Sequence, residues 1–292
     1  MIFEGSGVEL VTPFNDKNEV DYFELKRLIE FQIASGTRAI IILGLTGEGS
    51  SISLKEREKI IKFSVFVAGG LVPIIVGCIS YSTEISKQFV MQAKRLKADG
   101  AMVATPFYNG DSQDGIIAHF KAITSASKFP IIIENLIAIT GEKILPETIL
   151  KLSENKYIVG IKETNFNILQ LTKLLKILPA SFAVYSGDDR LTLPAMCMGA
   201  KGVISVIANA YPSVIESMCR SIIKRDYYSA MRIFNDIYCV CDVLLTVNSP
   251  VYIKKYLNLL GFSVGKSRLP LLEVSREEYI KLQKIKNDYE KI

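Results

Sequence analysis

Eight short runs, rich in β-branched and other apolar residues, recur along the chain. They are GVELVTPF (7–14), AIIILGL (39–45), VPIIVGC (72–78), GAMVATPF (100–107), PIIIEN (130–135), YIVGIKE (157–163), FAVYSGD (182–188) and GVISVIA (202–208). Each starts roughly 20 to 35 residues after the last. The runs are near-continuously apolar rather than alternating, which is the pattern of parallel strands buried on both faces. Between them lie amphipathic helical patterns, such as YFELKRLIEFQIAS (22–35), LKEREKIIKFSVFVA (54–68), STEISKQFVMQAKRL (82–96), LPETILKLSE (145–154) and NILQLTKLLKIL (167–178). A strand and a helix repeated eight times predicts an α/β fold of the (β/α)8 barrel type. From about residue 212 the strand pattern stops while helical periodicity continues. The expectation is a barrel over 1–222, closed by its last helix, and a helical extension over 223–292.

Composition removes other classes. With 292 residues, 49% hydrophobic and 22% charged, the chain is ordinary globular material. The net charge of +5 is modest, and the lysines and arginines are scattered apart from a Lys-rich C-terminal helix, so nucleic acid is not an expected partner. The longest apolar runs are far shorter than the roughly 18 residues of a membrane span. The start, MIFEGSGVEL, carries Glu4 and no basic run before an apolar one, unlike a secretory signal. Cys78, Cys197, Cys219, Cys239 and Cys241 are irregularly spaced and read as reduced thiols of a cytoplasmic protein. His119 is the only histidine and Cys239–Cys241 has no second pair nearby, which argues against zinc.

In a barrel of this kind the reactive groups sit at the C-terminal ends of the strands. The sixth run, YIVGIKET (157–164), delivers Lys162 there. A lysine at an apolar strand end is either a solvated charge or an inward-facing amine. Alternation from Ile158 and Gly160 places Lys162 on the inward face. Desolvation there would lower its pKa and leave a nucleophilic amine. The second run leads into GLTGEGS (44–50), a turn whose amides suit a carboxylate or phosphate, or which is simply a tight βα turn. The SGDD turn (186–189) would repel a phosphate, so an unphosphorylated substrate is expected. Asp188 and Asp189 read as a solvated turn, with a divalent cation as the alternative.

Taken in order, these pieces resemble the dihydrodipicolinate synthase and N-acetylneuraminate lyase family over nearly the whole chain. The matching stretches are LVTPF, GLTGE, TPFYN, GIKET, SGDD and GVISV. The resemblance implies a barrel with a helical C-terminal domain, assembly as a dimer or tetramer, and a Schiff base between Lys162 and pyruvate or another 2-keto acid. It implies no metal and no organic cofactor. Thr46 and the amides of Gly47 and its neighbours would hold the keto-acid carboxylate. Ile204 would offer its carbonyl near the lysine, and Tyr108 would cross a dimer interface into a proton relay. The expected label is dihydrodipicolinate synthase of lysine biosynthesis, joining pyruvate to aspartate semialdehyde.

The departures bear on that reading. The family's strand-5 tyrosine is Glu134, its arginine in the following loop is Ile139, and the first threonine of its strand-2 motif is Leu45. Glu134, flanked by isoleucines, would have a raised pKa and could shuttle protons in the tyrosine's place. Tyr81 and Ile85 stand where bacterial synthases use an asparagine and a glutamate, so lysine feedback is not expected. Three readings stay open: a working lyase or synthase using Glu134, a sugar-acid aldolase or dehydratase, and an impaired paralogue that still binds a keto acid.

Overall fold

Each apolar run becomes one strand of a closed parallel barrel in a computed structural model that describes residues 1–107, 112–135, 144–164, 167–246 and 250–291. The strands are β1 (Gly5–Glu9), β2 (Ala39–Ile42), β3 (Ile74–Gly77), β4 (Gly100–Ala104), β5 (Ile131–Asn135), β6 (Ile158–Glu163), β7 (Ala183–Ser186) and β8 (Gly202–Ser205). They pair in chain order, and β8 returns to β1 with Gly5 opposite Gly202 and Gly7 opposite Ile204. The seam closes there because Gly202 has no side chain. A Cβ at that position would lie 1.9 Å from the Gly5 carbonyl oxygen.

Burial on both faces explains the continuous apolar runs. Outward residues such as Val8, Ile40, Val103, Ile133 and Ile161 pack under the helices. Inward residues such as Phe3, Ile41, Met102, Ile132 and Tyr185 fill the lumen as a separate cluster. Tyr185 stacks on Phe3 at 4.3 Å and donates to its carbonyl at 2.7 Å.

The runs overshoot the strands for local reasons. The second ends at Ile42 because Leu43 turns to φ 59°. The eighth ends at Ser205, where Asp189 accepts from the Val206 and Ile207 amides and starts a turn. The first begins at Gly5, two residues earlier than expected, and ends at Glu9.

The expected helices are present as α1 (Tyr22–Ala34), α2 (Leu54–Ala68), α3 (Thr83–Arg95), and then, past one more, α5 (Pro146–Ser153) and α6 (Ile168–Ile177). Four of these starts are set by capping side chains, Asp21, Ser53 with Glu56, Ser82 and Asn167, and α5 starts at Pro146 without one. Two helices implied by the eightfold repeat were not located in the sequence. One is α4 (Gln113–Ser127), between β4 and β5. The other is the short α7 (Thr192–Cys197), which follows β7. The next helix, α8 (Pro212–Ile223), packs on β1, where buried Glu216 accepts from Ser6 and from Arg38 Nε at 2.7 Å. Helices α9 (Tyr227–Leu244), α10 (Pro250–Leu259) and α11 (Arg276–Tyr289) follow. Of these, α9 lies against both α8 and α11. All five cysteines are free thiols. Among the described residues no helix is long and apolar enough to cross a membrane.

Candidate active site

Three inward positions meet at the C-terminal end of the barrel. On β6, Ile161 faces the helices, so Lys162 faces the lumen. On β5 the same alternation sends Glu134 inward, and on β1 it does so for Glu9. Lys162 and Glu134 are direct neighbours in the strand register. The Lys162 Nζ lies 2.8 Å from Glu134 Oε1 and 2.6 Å from Glu9 Oε2, with all three side chains buried. An amine and two carboxyl groups thus share one dry space.

The charges decide the protonation state. Burial by itself would lower the Lys162 pKa, but the charges and hydrogen bonds of Glu134 and Glu9 outweigh it and hold the ammonium well above the ordinary lysine value. This corrects the expectation of a neutral resting amine: desolvation was foreseen, and the second carboxylate was not. Burial drives Glu134 the other way, up to about 7, with Lys162 opposing the shift and Glu9 adding to it. Glu134 therefore exchanges a proton near neutrality, 2.8 Å from the amine. Its second oxygen, Oε2, has no hydrogen-bond partner among the described residues.

The turn after β2 borders this cluster. The Thr46 amide donates to Glu9 Oε1 at 3.0 Å. Gly47 offers its carbonyl to Thr12 Oγ1 at 2.6 Å, and the Leu45 carbonyl accepts from the Glu48 amide at 3.0 Å. The turn is clamped from the far end of the chain. Glu48, at φ 54°, accepts from Lys254 Nζ at 2.8 Å and from the Arg268 amide at 2.8 Å. Arg268 also forms a two-pronged pair with Glu56 and donates to the Ser51 carbonyl. Lys254 is buried over the Phe14 ring, and burial lowers its pKa to about 8.

Of the residues singled out in the sequence, Lys162, Glu134 and Thr46 are brought together. Ile204 lies in the lumen cluster on β8. Tyr108 and Ile139 fall outside the described residues. Asp188 and Asp189 are not a solvated turn: both are buried. Asp188 pairs with Arg190 at 2.8 and 3.0 Å, while Asp189 takes the Ser205 hydroxyl and two amides. Glu9 and the Lys254–Glu48–Arg268 clamp were missed. Glu9 was within reach, because the alternation applied to Lys162 turns Glu9 inward opposite the outward Val8.

The chain matches the model of the Dihydrodipicolinate synthetase family over residues 2–288. A relative named 4-hydroxy-tetrahydrodipicolinate synthase from Alkaliphilus oremlandii is 36% identical over 289 residues, covering 98% of this chain and 99% of that one. The crystal structure of dihydrodipicolinate synthase from Aquifex aeolicus superposes with a TM-score of 0.96 at 39% identity, covering 99% of this chain and 98% of that one. The chloride-inhibited dihydrodipicolinate synthase from Acinetobacter baumannii, complexed with pyruvate, superposes with a TM-score of 0.97 at 34% identity over all of both chains (100% each).

Proposed function

Because the chain belongs to the dihydrodipicolinate synthetase family, we propose that it is a Schiff-base-forming lyase of the class I aldolase type, acting as a 4-hydroxy-tetrahydrodipicolinate synthase on pyruvate and aspartate semialdehyde. One observation carries the reading: a buried strand-end lysine whose Nζ lies 2.8 Å from a carboxyl group that exchanges its proton near pH 7. Lys162 must shed a proton before it can attack, and Glu134 is placed to take it. The Nζ lone pair then attacks the ketone carbon. Glu134 returns the proton to the resulting hydroxyl, which leaves as water, and an iminium remains. The iminium draws the electron pair from the C3–H bond as that proton departs. The enamine carbon attacks the aldehyde, whose oxygen takes up a proton. The amino group brought by aspartate semialdehyde then attacks the iminium carbon, and the bond from that carbon to Nζ breaks as Nζ takes up the amine's proton, which frees Lys162. These steps need no metal or organic cofactor.

The two carboxyl groups beside Lys162 also support a second reading of the aldehyde. They repel a partner that brings its own carboxylate to that side and suit a hydroxylated one, as in a sugar-acid aldolase or dehydratase of the same family. A homo-oligomer in the cytoplasm fits the family resemblance, and apolar side chains exposed at the end of α2 and just after it, Phe66 and Leu71, fit self-association.

Borohydride added with pyruvate is expected to fix one reduced keto-acid equivalent on the protein, mapped by peptide mass to Lys162. A protein that traps neither pyruvate nor any other 2-keto acid is not a Schiff-base enzyme. The initial trapping rate should rise with pH through about 7, because only the ionised Glu134 accepts the proton. Glu134→Gln should flatten that rise and slow imine formation by about 10²- to 10⁴-fold. A variant that keeps both the rate and the inflection assigns the proton transfer elsewhere.

A further inference from the structure

Glu9 has a built seat. One carboxylate oxygen takes the Thr46 amide at 3.0 Å and the other takes Lys162 Nζ at 2.6 Å. Its carboxyl group fits into the notch left by Gly44: a Cβ on Gly44 would lie 2.3 Å from Glu9 Oε1. The side chain is 2% exposed. A carboxylate held by an amide, an ammonium and a glycine notch is in a carboxylate-binding site, and here the ligand belongs to the chain itself.

The chemistry of a 2-keto acid requires the same place. Its carboxylate is bonded to the carbon that becomes the imine carbon. Once that carbon is joined to Nζ, ordinary bond lengths set the carboxylate oxygens about 3 Å from the nitrogen. Glu9 already occupies a position at that distance from the same nitrogen, together with the amide that would receive the newcomer. Two carboxyl groups do not fit one seat. The lysine makes the conflict sharper, because forming the iminium leaves one positive charge to serve both Glu9 and the substrate.

Building on the Schiff-base reading, we infer that Glu9 is a specificity-determining residue, an internal carboxylate that holds the keto-acid seat at rest and must be displaced before a 2-keto acid binds. The site therefore discriminates against carbonyl compounds with a carboxylate next to the carbonyl, relative to uncharged ones of the same size. Glu9 touches the reacting nitrogen, so its removal changes selectivity and not stability alone.

The test compares borohydride trapping of pyruvate with that of hydroxyacetone, an uncharged ketone of similar size, in wild type, Glu9→Ala and Glu9→Gln. Each is read as the concentration giving half-maximal labelling of Lys162. Glu9→Ala vacates the seat. Glu9→Gln keeps the shape and an oxygen for the Thr46 amide while removing the charge, so it guards against a variant that does not fold. The expected result is a fall in the pyruvate value of roughly ten- to hundredfold in Glu9→Ala, the scale of a relieved like-charge contact, with a smaller fall in Glu9→Gln. The hydroxyacetone value should move by less than about threefold. A merely structural Glu9 would shift both ketones together, and that outcome overturns the inference, as does a rise in the pyruvate value. If wild type traps pyruvate and neither variant sharpens the ratio, the inference about Glu9 fails alone. If no form labels Lys162 with either ketone, the Schiff-base reading fails and takes this inference with it.

Discussion

Lys162→Ala will lose all detectable keto-acid trapping and, unusually for a catalytic substitution, will also destabilise the fold by about 3–5 kcal/mol at pH 8, the ordinary cost of removing one partner from a buried ion pair. The lost trapping follows from the missing nucleophile. The instability follows from what remains: Glu9 and Glu134, buried and without the ammonium between them. The pH dependence has a definite sign. In the wild type the Lys162 pKa is raised above its unfolded value, so its contribution is fully present below about pH 10 and is lost only in strong alkali. Without Lys162 the group that lowers Glu134 is gone, and its pKa climbs further from an already raised value. A carboxyl group with a raised folded pKa binds more protons in the native state than in the unfolded one. Stability then falls as pH rises from the unfolded value of 4.5 towards the folded one. Thermal melts at pH 5 and pH 8 should therefore separate the variant from wild type much more at the higher pH. The triple variant Lys162→Met, Glu9→Gln, Glu134→Gln should regain most of the loss, because neutral groups of similar volume carry no unpaired charge. Equal melting of wild type and Lys162→Ala at both pH values would mean that the lysine does not balance these carboxyl groups.

The second large effect lies outside the barrel. Lys254→Met should cost about 3–5 kcal/mol by leaving the Glu48 carboxylate buried with the Arg268 amide as its remaining close donor among the described residues. Adding Glu48→Gln should recover part of that loss, giving a positive coupling in a double-mutant cycle. The wild-type pair is itself expensive to bury, which is why the Lys254 pKa falls to about 8. Between that value and the unfolded 10.5 the native state binds fewer protons than the unfolded one, so wild-type stability should rise as pH climbs through this window. Lys254→Met should not show the rise. It should also slow trapping at Lys162, because the clamp fixes the turn that carries the Thr46 amide. Unchanged stability together with unchanged trapping would remove the clamp from any role in the site.

The barrel was legible because its strands are buried on both faces, so each wrote an unbroken apolar run. Helix α4 was not, although Ile116, Phe120 and Ile123 keep helical spacing. Gly115 and a buried His119 interrupt the apolar face, and the His119 ring is held by Thr83 on α3, a contact that sequence does not reveal. Lys162 stood out as a lysine in an apolar strand. Glu9 is the same anomaly in a strand, yet it passed as part of a longer run, because the run was carried on to Phe14 while the strand stops at Glu9. The meeting of Glu9 with Lys162 joins residues 153 apart in sequence. Periodicity reports which face a side chain takes, not which of eight strands it will meet there. That is why the ammonium was expected to be neutral: its desolvation was local information, and its second counter-charge was not.

The clamp on the strand-2 turn also sets when the site can come into being. Glu48 leaves the ribosome early, while Lys254 follows 206 residues later and Arg268 220 residues later. At ordinary synthesis rates that gap lasts roughly 10 to 40 s. During it Glu48 lacks both of these donors, and until residue 202 has been made the barrel seam at Gly5 lacks its partner as well. Lys162 is thus made well before its final surroundings, which include donors as late as Arg268. The surroundings of Lys162 are thus completed from the C-terminal side, and a product cut short before Arg268 would lack the clamp on the turn that seats Glu9.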